Sequence, residues 1–557
     1  MRGAQFAVVD MNFGPAIVGR IALAGAFALL SALLGAPGAR ADVATPNNAA
    51  NTSVATPKPG FDIQAYDVDG NTVLDQETIE SAVYPFLGPG RSKEDVSAAR
   101  DALQKAYQSR GFQSVVVEIP PQDARAGIIK LHVVEAPVGR LRVVGSNYYS
   151  LDRIKEQAPS LQEGKVPDFN EAQKEVSELN RLPDRRVTPL IKAGKVPGTV
   201  DIDLKVNDTL PVHGSTEVNN DHAQNTTPIR TAATVSYANL WQLGHTLSLT
   251  ALLAPKNFDD AQVYSGSYVA PIWGSPWSIL LYGYDSNSSV VTLGGTNVLG
   301  KGYAVGLRGI YQLPSWGEIG QSVNFGLDYK HFLENLQLGT SSTGAIIDYV
   351  PLVTSYTLQA AQDLSTVTLG LAATLGLRGI ASSQEAFFNK RADARANFVH
   401  VNVDADVTQD FGDLGQIGLH MTEQLADGPL VSSEQFSAGG LTSVRGYLQS
   451  EALGDDGVFT SMEIRSPSIA PWFDAIVDQP IADEWRLYGF TDGAIAWVLD
   501  PLPGQQSKFK LGSFGVGSRL HAFGHLSTDL ILGIPMRDAT VTRAWEPYFQ
   551  FSVKTEL

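Results

Sequence analysis

The sequence predicts a membrane β-barrel of about 16 antiparallel strands, preceded by two small α+β domains. Three observations support this fold class. Apolar and polar residues alternate in repeated segments of about 9 to 14 residues, the N-terminus has the features of a secretory signal, and no later stretch approaches the ~18 apolar residues of a membrane-spanning helix. Because lipid cannot satisfy backbone hydrogen-bonding groups, strands that cross a membrane must close into a barrel.

The alternation is clearest in the segment that begins at Val399. Its apolar positions are Val399, Val401, Val403, Ala405 and Val407, and its polar positions are His400, Asn402, Asp404, Asp406 and Thr408. A strand with this pattern has one face suited to lipid and one suited to water. The pattern recurs at 246–251 and 323–330, and such segments between 209 and 557 define the predicted transmembrane barrel.

The tryptophans and the turns agree with a barrel. All 8 tryptophans occur at or after Trp241, as expected if most of them form aromatic girdles at the two membrane interfaces. Most predicted turns are short, but the stretch 426–454 is too long and too rich in glycine for a simple hairpin. Long loops of this kind are usually functional, so we expect this loop to matter for function.

The N-terminus predicts export from the cytoplasm. Two arginines precede an apolar run over residues 21–36, which leads to a small-residue cleavage site. We interpret 1–41 as a signal peptide cleaved between Ala41 and Asp42, because the run is shorter than the ~20 residues needed to cross hydrocarbon. Residues 42–60 are rich in proline and asparagine, which predicts a flexible linker.

Composition and motifs argue against several classes of function. The net charge is −17, and removal of a signal peptide of charge +2 brings it to −19, which disfavours nucleic acid as a partner. The absence of cysteine excludes disulfides and thiolate chemistry. The sequence contains no phosphate-binding loop, no His-Glu-x-x-His pair and no Gly-x-Ser-x-Gly elbow. We therefore predict that the protein is not an enzyme and has no catalytic residue, cofactor or metal site.

Two units of similar order precede the predicted barrel, at 61–138 and 139–208. Each combines helices with short strands, and in the first unit Val96, Leu103 and Tyr107 recur at helical spacing. An internal repeat with a period of ~75 residues predicts two tandem α+β domains. Edge strands of such domains can bind an extended peptide through main-chain hydrogen bonds, which suits an unfolded cargo.

The first of these units resembles a known domain. The segment from Arg110-Gly111-Phe112 to Val133-Val134-Glu135 resembles the first polypeptide-transport-associated (POTRA) domain of two-partner secretion transporters, the ShlB/FhaC/HecB haemolysin secretion/activation family. Leu179-Asn180-Arg181 and the strand at 201–206 resemble the second POTRA domain. The resemblance covers nearly the whole mature chain.

Two short motifs in the predicted barrel extend the resemblance. Val444-Arg445-Gly446-Tyr447 lies in the long loop after the eleventh predicted strand, and Phe490-Thr491-Asp492-Gly493 lies in the thirteenth. The resemblance implies that the loop folds back into the lumen and that Arg445 pairs with Asp492 on the inner wall. A planar guanidinium can bind a carboxylate bidentately, and neither ion tolerates burial alone.

The resemblance implies a protein of the Gram-negative outer membrane with its POTRA domains in the periplasm. The implied function is export, through the barrel, of a β-rich exoprotein of the haemolysin or adhesin type, and the family name also implies activation of that cargo. The implied partners are the unfolded periplasmic exoprotein, outer-membrane lipid and the barrel-assembly machinery during biogenesis. We expect a monomer.

Two alternatives remain open at this stage. An outer-membrane insertase of the same superfamily would insert membrane proteins, but such relatives usually have three or more periplasmic domains. A passive porin would need neither the tandem domains nor the Arg445 and Asp492 motifs. The proline-containing segment 42–60 disfavours the N-terminal plug helix of many family members, and the last strand ends in Leu557 where phenylalanine is usual.

Overall fold

The computed structural model describes residues 60–288, 290–293, 296–299, 301–338, 341–381 and 383–557. The predicted signal peptide, its cleavage site between Ala41 and Asp42, and linker residues 42–59 lie outside the described residues. The described chain forms two compact units, an N-terminal unit of residues up to Pro211 together with Trp241–Gly244, and a barrel unit of Val212–Leu240 and His245–Leu557.

The N-terminal unit contains two three-stranded sheets packed with helices. Its first half comprises β1 (Phe61–Ile63), β2 (Ala65–Asp69), α1 (Gln76–Val83), β3 (Gly88–Arg91), α2 (Lys93–Ser109), β4 (Val116–Glu118) and β5 (Ile128–Val134). Its second half comprises β6 (Val138–Val144), α3 (Leu151–Glu156), α4 (Phe169–Leu179), β7 (Arg185–Ala193) and β8 (Val200–Asp208). The sheets have the orders β2-β5-β4 and β6-β8-β7. In each sheet one pair is parallel and one is antiparallel.

Helix α2 shows how the sequence produces these elements. Ser92 caps its first turn and forms a reciprocal capping box with Asp95, which satisfies backbone groups that the helix leaves unpaired. Val96, Leu103 and Tyr107 are buried, as their spacing predicts. Burying this apolar face stabilises the helix against the sheet far more than helix propensity does.

The barrel unit contains strands, two short hairpins and two helices. The strands that form the barrel wall are β9 (Val212–Asn219), β10 (Arg230–Leu240), β11 (His245–Leu253), β12 (Gln262–Pro271), β13 (Trp277–Ser286), β16 (Lys301–Trp316), β17 (Ile319–Leu338), β18 (Ser341–Tyr349), β19 (Pro351–Gln362), β20 (Ser365–Gly376), β21 (Val399–Asp410), β22 (Gln416–Ala426), β25 (Asp456–Arg465), β26 (Ala482–Trp497), β27 (Lys508–Ala522), β28 (Leu526–Pro535) and β29 (Tyr548–Glu556). The connections contain hairpin β14 (Val290–Leu293) and β15 (Thr296–Leu299), helix α5 (Gln384–Lys390), hairpin β23 (Phe436–Ala438) and β24 (Ala452–Gly454), and helix α6 (Ala470–Val477).

The described strands close into an antiparallel barrel of 16 strands, which confirms the predicted fold class. β18 and β19 both pair with β17 and together form one strand of the wall. The last strand, β29, pairs with the first, β9, from Ser552 opposite Asn219 to Glu556 opposite Ser215. Strands of 8 to 20 residues form the wall, so the predicted range of lengths was too narrow.

Side chains alternate between the two faces of the wall, as the sequence pattern predicts. On β21 the polar residues His400, Asn402 and Asp404 face the lumen, where they line a cavity of about 920 Å³. The outward positions of other strands expose apolar side chains, including Val516 at 60% and Ile464 at 59%. No helix among the described residues is long and apolar enough to cross a membrane.

Tryptophans lie near both ends of the barrel. Trp277 and Trp316 lie at the end where β9 begins, and both are exposed. Trp497 closes β26 at the other end, and the exposed Trp545 follows β28 there. This distribution is the one expected of aromatic girdles at two membrane interfaces.

Glycines on the inner wall make room for aromatic rings on the neighbouring strand. Gly515 lies opposite Phe490 and Gly517 lies opposite Tyr488. A Cβ on Gly515 would lie 2.5 Å from Phe490 Cζ, and a Cβ on Gly517 would lie 2.2 Å from Tyr488 Cζ. Both rings can therefore lie flat against the wall only because these two positions have no side chain.

We predict that Gly515→Ala destabilises the barrel by about 1–3 kcal/mol, because the added methyl group meets both the Phe490 ring and the Leu532 carbonyl. Urea unfolding of the detergent-refolded protein measures this change. Gly489→Ala is the matched control, since the nearest atom to its new Cβ is 3.9 Å away. Equal stability of the two variants would contradict the packing argument.

Candidate functional site

A long loop connects β22 to β25 and folds back into the lumen. We call residues 427–455 the lumen loop; it contains the hairpin β23–β24. Val444 and Tyr447 near its tip are fully buried and pack with inner-face residues of β25, β26 and β27. Counted from β9, the loop follows the eleventh strand and Asp492 lies in the thirteenth, the positions predicted from the sequence.

The structure brings Arg445 of this loop into contact with Asp492 of β26. Arg445 Nε lies 2.8 Å from Asp492 Oδ2, Nη2 lies 2.8 Å from Oδ1, and the backbone N lies 3.0 Å from Oδ2. Ser461 Oγ also donates to Asp492 Oδ1 at 2.7 Å. Each carboxylate oxygen of Asp492 therefore accepts two hydrogen bonds. These bonds replace water around a residue that is only 3% exposed.

The pair belongs to a larger cluster of charges. Glu463 of β25 binds Arg445 Nη1, and it also contacts Arg465 at 2.7 Å and Arg519 at 3.5 Å. Arg519 in turn lies 2.8 Å from Asp529 of β28. We call the six side chains the barrel-wall network: Arg445, Glu463, Arg465, Asp492, Arg519 and Asp529. Its three guanidinium groups balance its three carboxylates, and Arg445 alone comes from the lumen loop.

Two aromatic rings lie between arginines of the network and the barrel wall. The Arg445 guanidinium carbon lies 3.8 Å from the centre of the Phe490 ring, a close cation–π contact. Tyr488 lies beneath Arg519, with a distance of 4.8 Å from the guanidinium carbon to the ring centre, and its hydroxyl donates to Asp529 at 2.6 Å. Because the Arg445 and Asp492 side chains are themselves buried, their charge interaction is stronger than it would be at an exposed site.

The other motif residues fix the loop tip in place. Gly446 has φ +88°, and its backbone N donates to Gln550 Oε1 at 2.7 Å. It lies directly on Gly533 of β28, where a Cβ would come within 2.8 Å of Gly446 Cα, so Gly533 has no room for a side chain, and the positive φ of Gly446 disfavours any other residue there. The Tyr447 hydroxyl donates toward the carbonyls of Gly512 and Arg537, at 3.0 and 2.9 Å. Gly493, by contrast, alternates to the outer face, away from the loop.

A second anchor attaches the loop to a distant part of the wall. Glu434 is buried, with Oε1 2.6 Å from Lys330 Nζ of β17 and Oε2 3.1 Å from His400 Nε2 of β21. Tyr349 of β18 donates its hydroxyl to the same carboxylate. The lumen loop is therefore bound on one side through Arg445 and on the other through Glu434.

A third anchor lies at the loop's return to the wall. Asp455 is fully buried and binds Arg391, with both oxygen–nitrogen distances at 2.6 Å. Its carboxylate also accepts the backbone N–H groups of Leu430 and Leu499. Asp455 thus joins three separate connections of the barrel, because Arg391 follows α5 and Leu499 follows β26.

Sequence reasoning missed most of these partners. The alternation in β25 places Ser461 and Glu463 on the inner face, but only the strand register shows that they lie opposite Asp492 and Phe490. Glu434 and Asp455 belong to no recognisable motif. Among the described residues, no group of three or more His, Cys, Asp or Glu side chains could hold a metal ion.

Comparison with known proteins identifies the family. A family model described as haemolysin secretion/activation protein ShlB/FhaC/HecB matches residues 198–493, more than half of the chain. The chain belongs to this family. A second model, the ShlB-type POTRA domain, matches residues 61–136. The family comprises outer-membrane β-barrel transporters of two-partner secretion with periplasmic POTRA domains, so β9 begins at the periplasmic end of the barrel.

Individual relatives are distant. An outer membrane transporter CdiB from Escherichia coli is 26% identical over 175 residues, which cover 31% of this chain and 29% of that relative. The heme/hemopexin transporter protein HuxB from Haemophilus influenzae is 21% identical over 510 residues, or 88% of this chain and 86% of the relative.

Solved structures share the fold. CdiB from Escherichia coli aligns with a TM-score of 0.61 at 20% identity, over 92% of this chain and 93% of that chain. A BamA structure from Haemophilus ducreyi that lacks POTRA domains 1–3 aligns with a TM-score of 0.54 at 14% identity, over 90% of this chain and all of that one.

We predict that Arg445→Ala lowers the free energy of unfolding by about 3–5 kcal/mol, because it leaves Asp492 buried without its counter-charge and removes one of the three arginines around Glu463. Arg445→Lys should have an intermediate effect, since it keeps the charge but loses the bidentate geometry. Urea unfolding in detergent measures both.

Arg395→Ala is the matched control for this prediction. Arg395 also pairs with a carboxylate of the lumen loop, Asp427, at 2.9 Å, but its side chain is 44% exposed. Removing such a pair should cost at most about 1 kcal/mol. A similar loss for both variants would show that burial of the network has no special role.

Proposed function

We propose that this protein captures an unfolded, β-rich exoprotein in the periplasm and exports it through the barrel. The observation that carries the proposal is the lumen loop, which crosses the barrel interior and is held by buried ion pairs at its charged anchors and by apolar packing near its tip. By extending the family description to this chain, we also propose that the cargo is of the haemolysin or adhesin type and that it is activated on export. Transport of this kind needs no catalytic residue.

The charged anchors support a loop that can be released. An ion pair in a partly polar lumen can be replaced by water or by groups of a passing chain. Only Arg445 of the barrel-wall network leaves with the loop, and the other five members stay attached to the wall. In this proposal Arg445, Asp492 and their neighbours set the resting position of the loop.

The rest of the lumen suits an extended polypeptide. The cavity of about 920 Å³ lies beside the loop, and its lining combines aromatic and charged residues with small polar side chains, among them Ser248, Thr250, Ser267 and Asn402. Hydroxyl and amide groups exchange hydrogen bonds readily with a passing backbone and present no large apolar surface to retain it. These small polar side chains favour passage over tight binding.

In the proposal, residues 61–138 and 139–208 act as two POTRA domains that capture the cargo. β7 is an edge strand of the second sheet, and Leu190 and Ile191 on it are exposed. Ile191 borders an apolar crevice of about 240 Å³ between β7 and α4, which also includes Phe169 and Val176. An extended segment could pair with the edge while placing an apolar side chain in the crevice.

Charged contacts hold this edge strand firmly. Asp203 of the central strand β8 binds Lys192 of β7 at 2.8 Å and Arg142 of β6 at 2.7 Å. Hydrogen bonds from Lys192 and Arg142 lower the pKa of Asp203 below its usual value, so its carboxylate stays ionised at neutral pH. A fixed edge lowers the entropic cost of pairing with an incoming strand.

Export is tested by comparing the culture medium of cells with and without this protein by mass spectrometry. We expect one large protein to disappear from the medium. Arg445→Ala and Asp492→Ala should each reduce its release at least several-fold while the barrel remains inserted, because the loop loses its defined position in the lumen. The double variant should be no worse than either single one, since both remove the same interaction.

Arg395→Ala serves as the control for export as well as for stability. Unimpaired release by both Arg445→Ala and Asp492→Ala would overturn the role of the pair. In cells that lack the protein, the amounts of outer-membrane proteins should be the same as in cells that have it.

Capture is tested at the crevice. Ile191→Asp should reduce crosslinking of the periplasmic cargo to the full-length protein at least several-fold, because it places a charge where an apolar side chain would bind. Val196→Asp is the control, since Val196 is 61% exposed and lies in the turn after β7, outside the crevice. Equal crosslinking of both variants would exclude the crevice as the capture site.

A second candidate function is insertion of outer-membrane proteins. The likeness of the fold to BamA favours it, as does the junction of β29 with β9, which has five registered pairs where β28 and β29 have eight. The two three-stranded sheets of the described N-terminal unit, one for each proposed domain, argue against it, because insertases usually carry more periplasmic domains. Depletion of several outer-membrane proteins from cells that lack this chain, with unchanged medium, would establish this function instead.

A further inference from the structure

The connection between β25 and β26 differs from the other turns at the periplasmic end of the barrel. The six other turns at that end contain two to five residues each. The β25–β26 connection extends over 466–481 and contains α6 (Ala470–Val477). Periplasmic turns of such barrels are normally short, so a helix at this place calls for a physical explanation.

The helix packs on the outer face of the wall. Phe473 of α6 meets Trp485 of β26 edge to face, with ring centres 5.1 Å apart. The Trp485 indole donates to Ser518 Oγ at 2.9 Å, and Ser518 lies opposite the outward-facing Leu487. Since Tyr488 faces the lumen and strand residues alternate, Trp485 points toward lipid. The helix is therefore attached to the lipid-facing side and does not lie beneath the pore.

One apolar stripe follows the helix. Ile469, Trp472, Phe473 and Ile476 stand at the spacing i, i+3, i+4, i+7 that places side chains on one face. Phe473 of this stripe packs against the barrel, whereas the side chains of Trp472 and Ile476 are 66% and 61% exposed. Two large apolar side chains are thus left uncovered by the described protein.

The exposed stripe continues the lipid-facing surface of the barrel. The outward residues of the two strands that α6 connects are apolar and exposed, with Ile464 at 59% and Leu487 at 48%. The connection at 466–481 contains no lysine or arginine. An acidic protein or the head groups of anionic lipid would therefore find no complementary charge on it.

We propose that α6 is a membrane-surface anchor that inserts Trp472 and Ile476 into the periplasmic leaflet of the outer membrane. Tryptophan favours the boundary between head groups and acyl chains, and a short helix with one apolar stripe lies in the plane of that boundary. The contact of Phe473 with Trp485 then fixes the height of the barrel in the bilayer at this point. The anchor acts through apolar insertion, so it requires neither anionic lipid nor low salt.

The chain contains no cysteine, so a single fluorophore can be placed at Ile476→Cys. The full-length protein is reconstituted in phosphatidylcholine vesicles, and quenching of the label by doxyl-labelled lipid is compared with quenching by aqueous iodide. We expect strong quenching by the lipid and at least severalfold protection from iodide, both unchanged at high salt. Trp472→Cys should behave in the same way.

Gln479→Cys is the matched control, because this exposed residue lies beyond Asp478, whose left-handed backbone ends the helix and its stripe. Its label should be quenched by iodide and not by the lipid. If iodide quenched Ile476→Cys and Trp472→Cys as strongly as Gln479→Cys, the helix would lie in water and the proposal would be wrong. Protection of both positions from both quenchers would mean that protein covers the stripe, which would also overturn it.

Discussion

A carboxylate remains ionised in a protein interior only where hydrogen bonds and opposite charges replace its water, and in this barrel that requirement determines where the lumen loop lies. Asp492 receives three of its four hydrogen bonds from Arg445. The loop must therefore reach the wall beside Asp492, where its backbone turns through the positive φ of Gly446. The absence of a side chain at Gly533 lets it approach that closely.

The neighbouring contacts extend this constraint across the barrel. Because Glu463 is shared among three arginines, a change at Arg445 alters the environment of residues on three strands. Glu434 holds the loop to the far side of the wall, and Asp455 holds its return to two other connections. Three buried carboxylates thus determine the course of one loop, and all three depend on donors from distant parts of the sequence.

The sequence predicted the parts of the fold that depend on local patterns. Alternation predicted the strands and the inner face of β21, and helical spacing predicted the buried side of α2. The family motifs predicted the approach of Arg445 to Asp492. What local pattern cannot supply is register: Ser461 and Glu463 become partners of Arg445 only because β25 pairs with β26 in one alignment. The anchors at Glu434 and Asp455 depend on contacts between residues far apart in sequence, and nothing in a single chain marks them in advance.

The charge balance of the anchors has an electrical consequence for an open pore. When the lumen loop is in place, Arg445 neutralises the wall around Asp492 and Glu434 neutralises Lys330 on the far side. Departure of the loop would remove one positive charge from the first place and one negative charge from the second. The emptied lumen would then carry a transverse field, negative toward β26 and positive toward β17. A polypeptide in transit would be oriented across the pore by its own charges, which gives an open channel a preferred side for acidic and for basic segments.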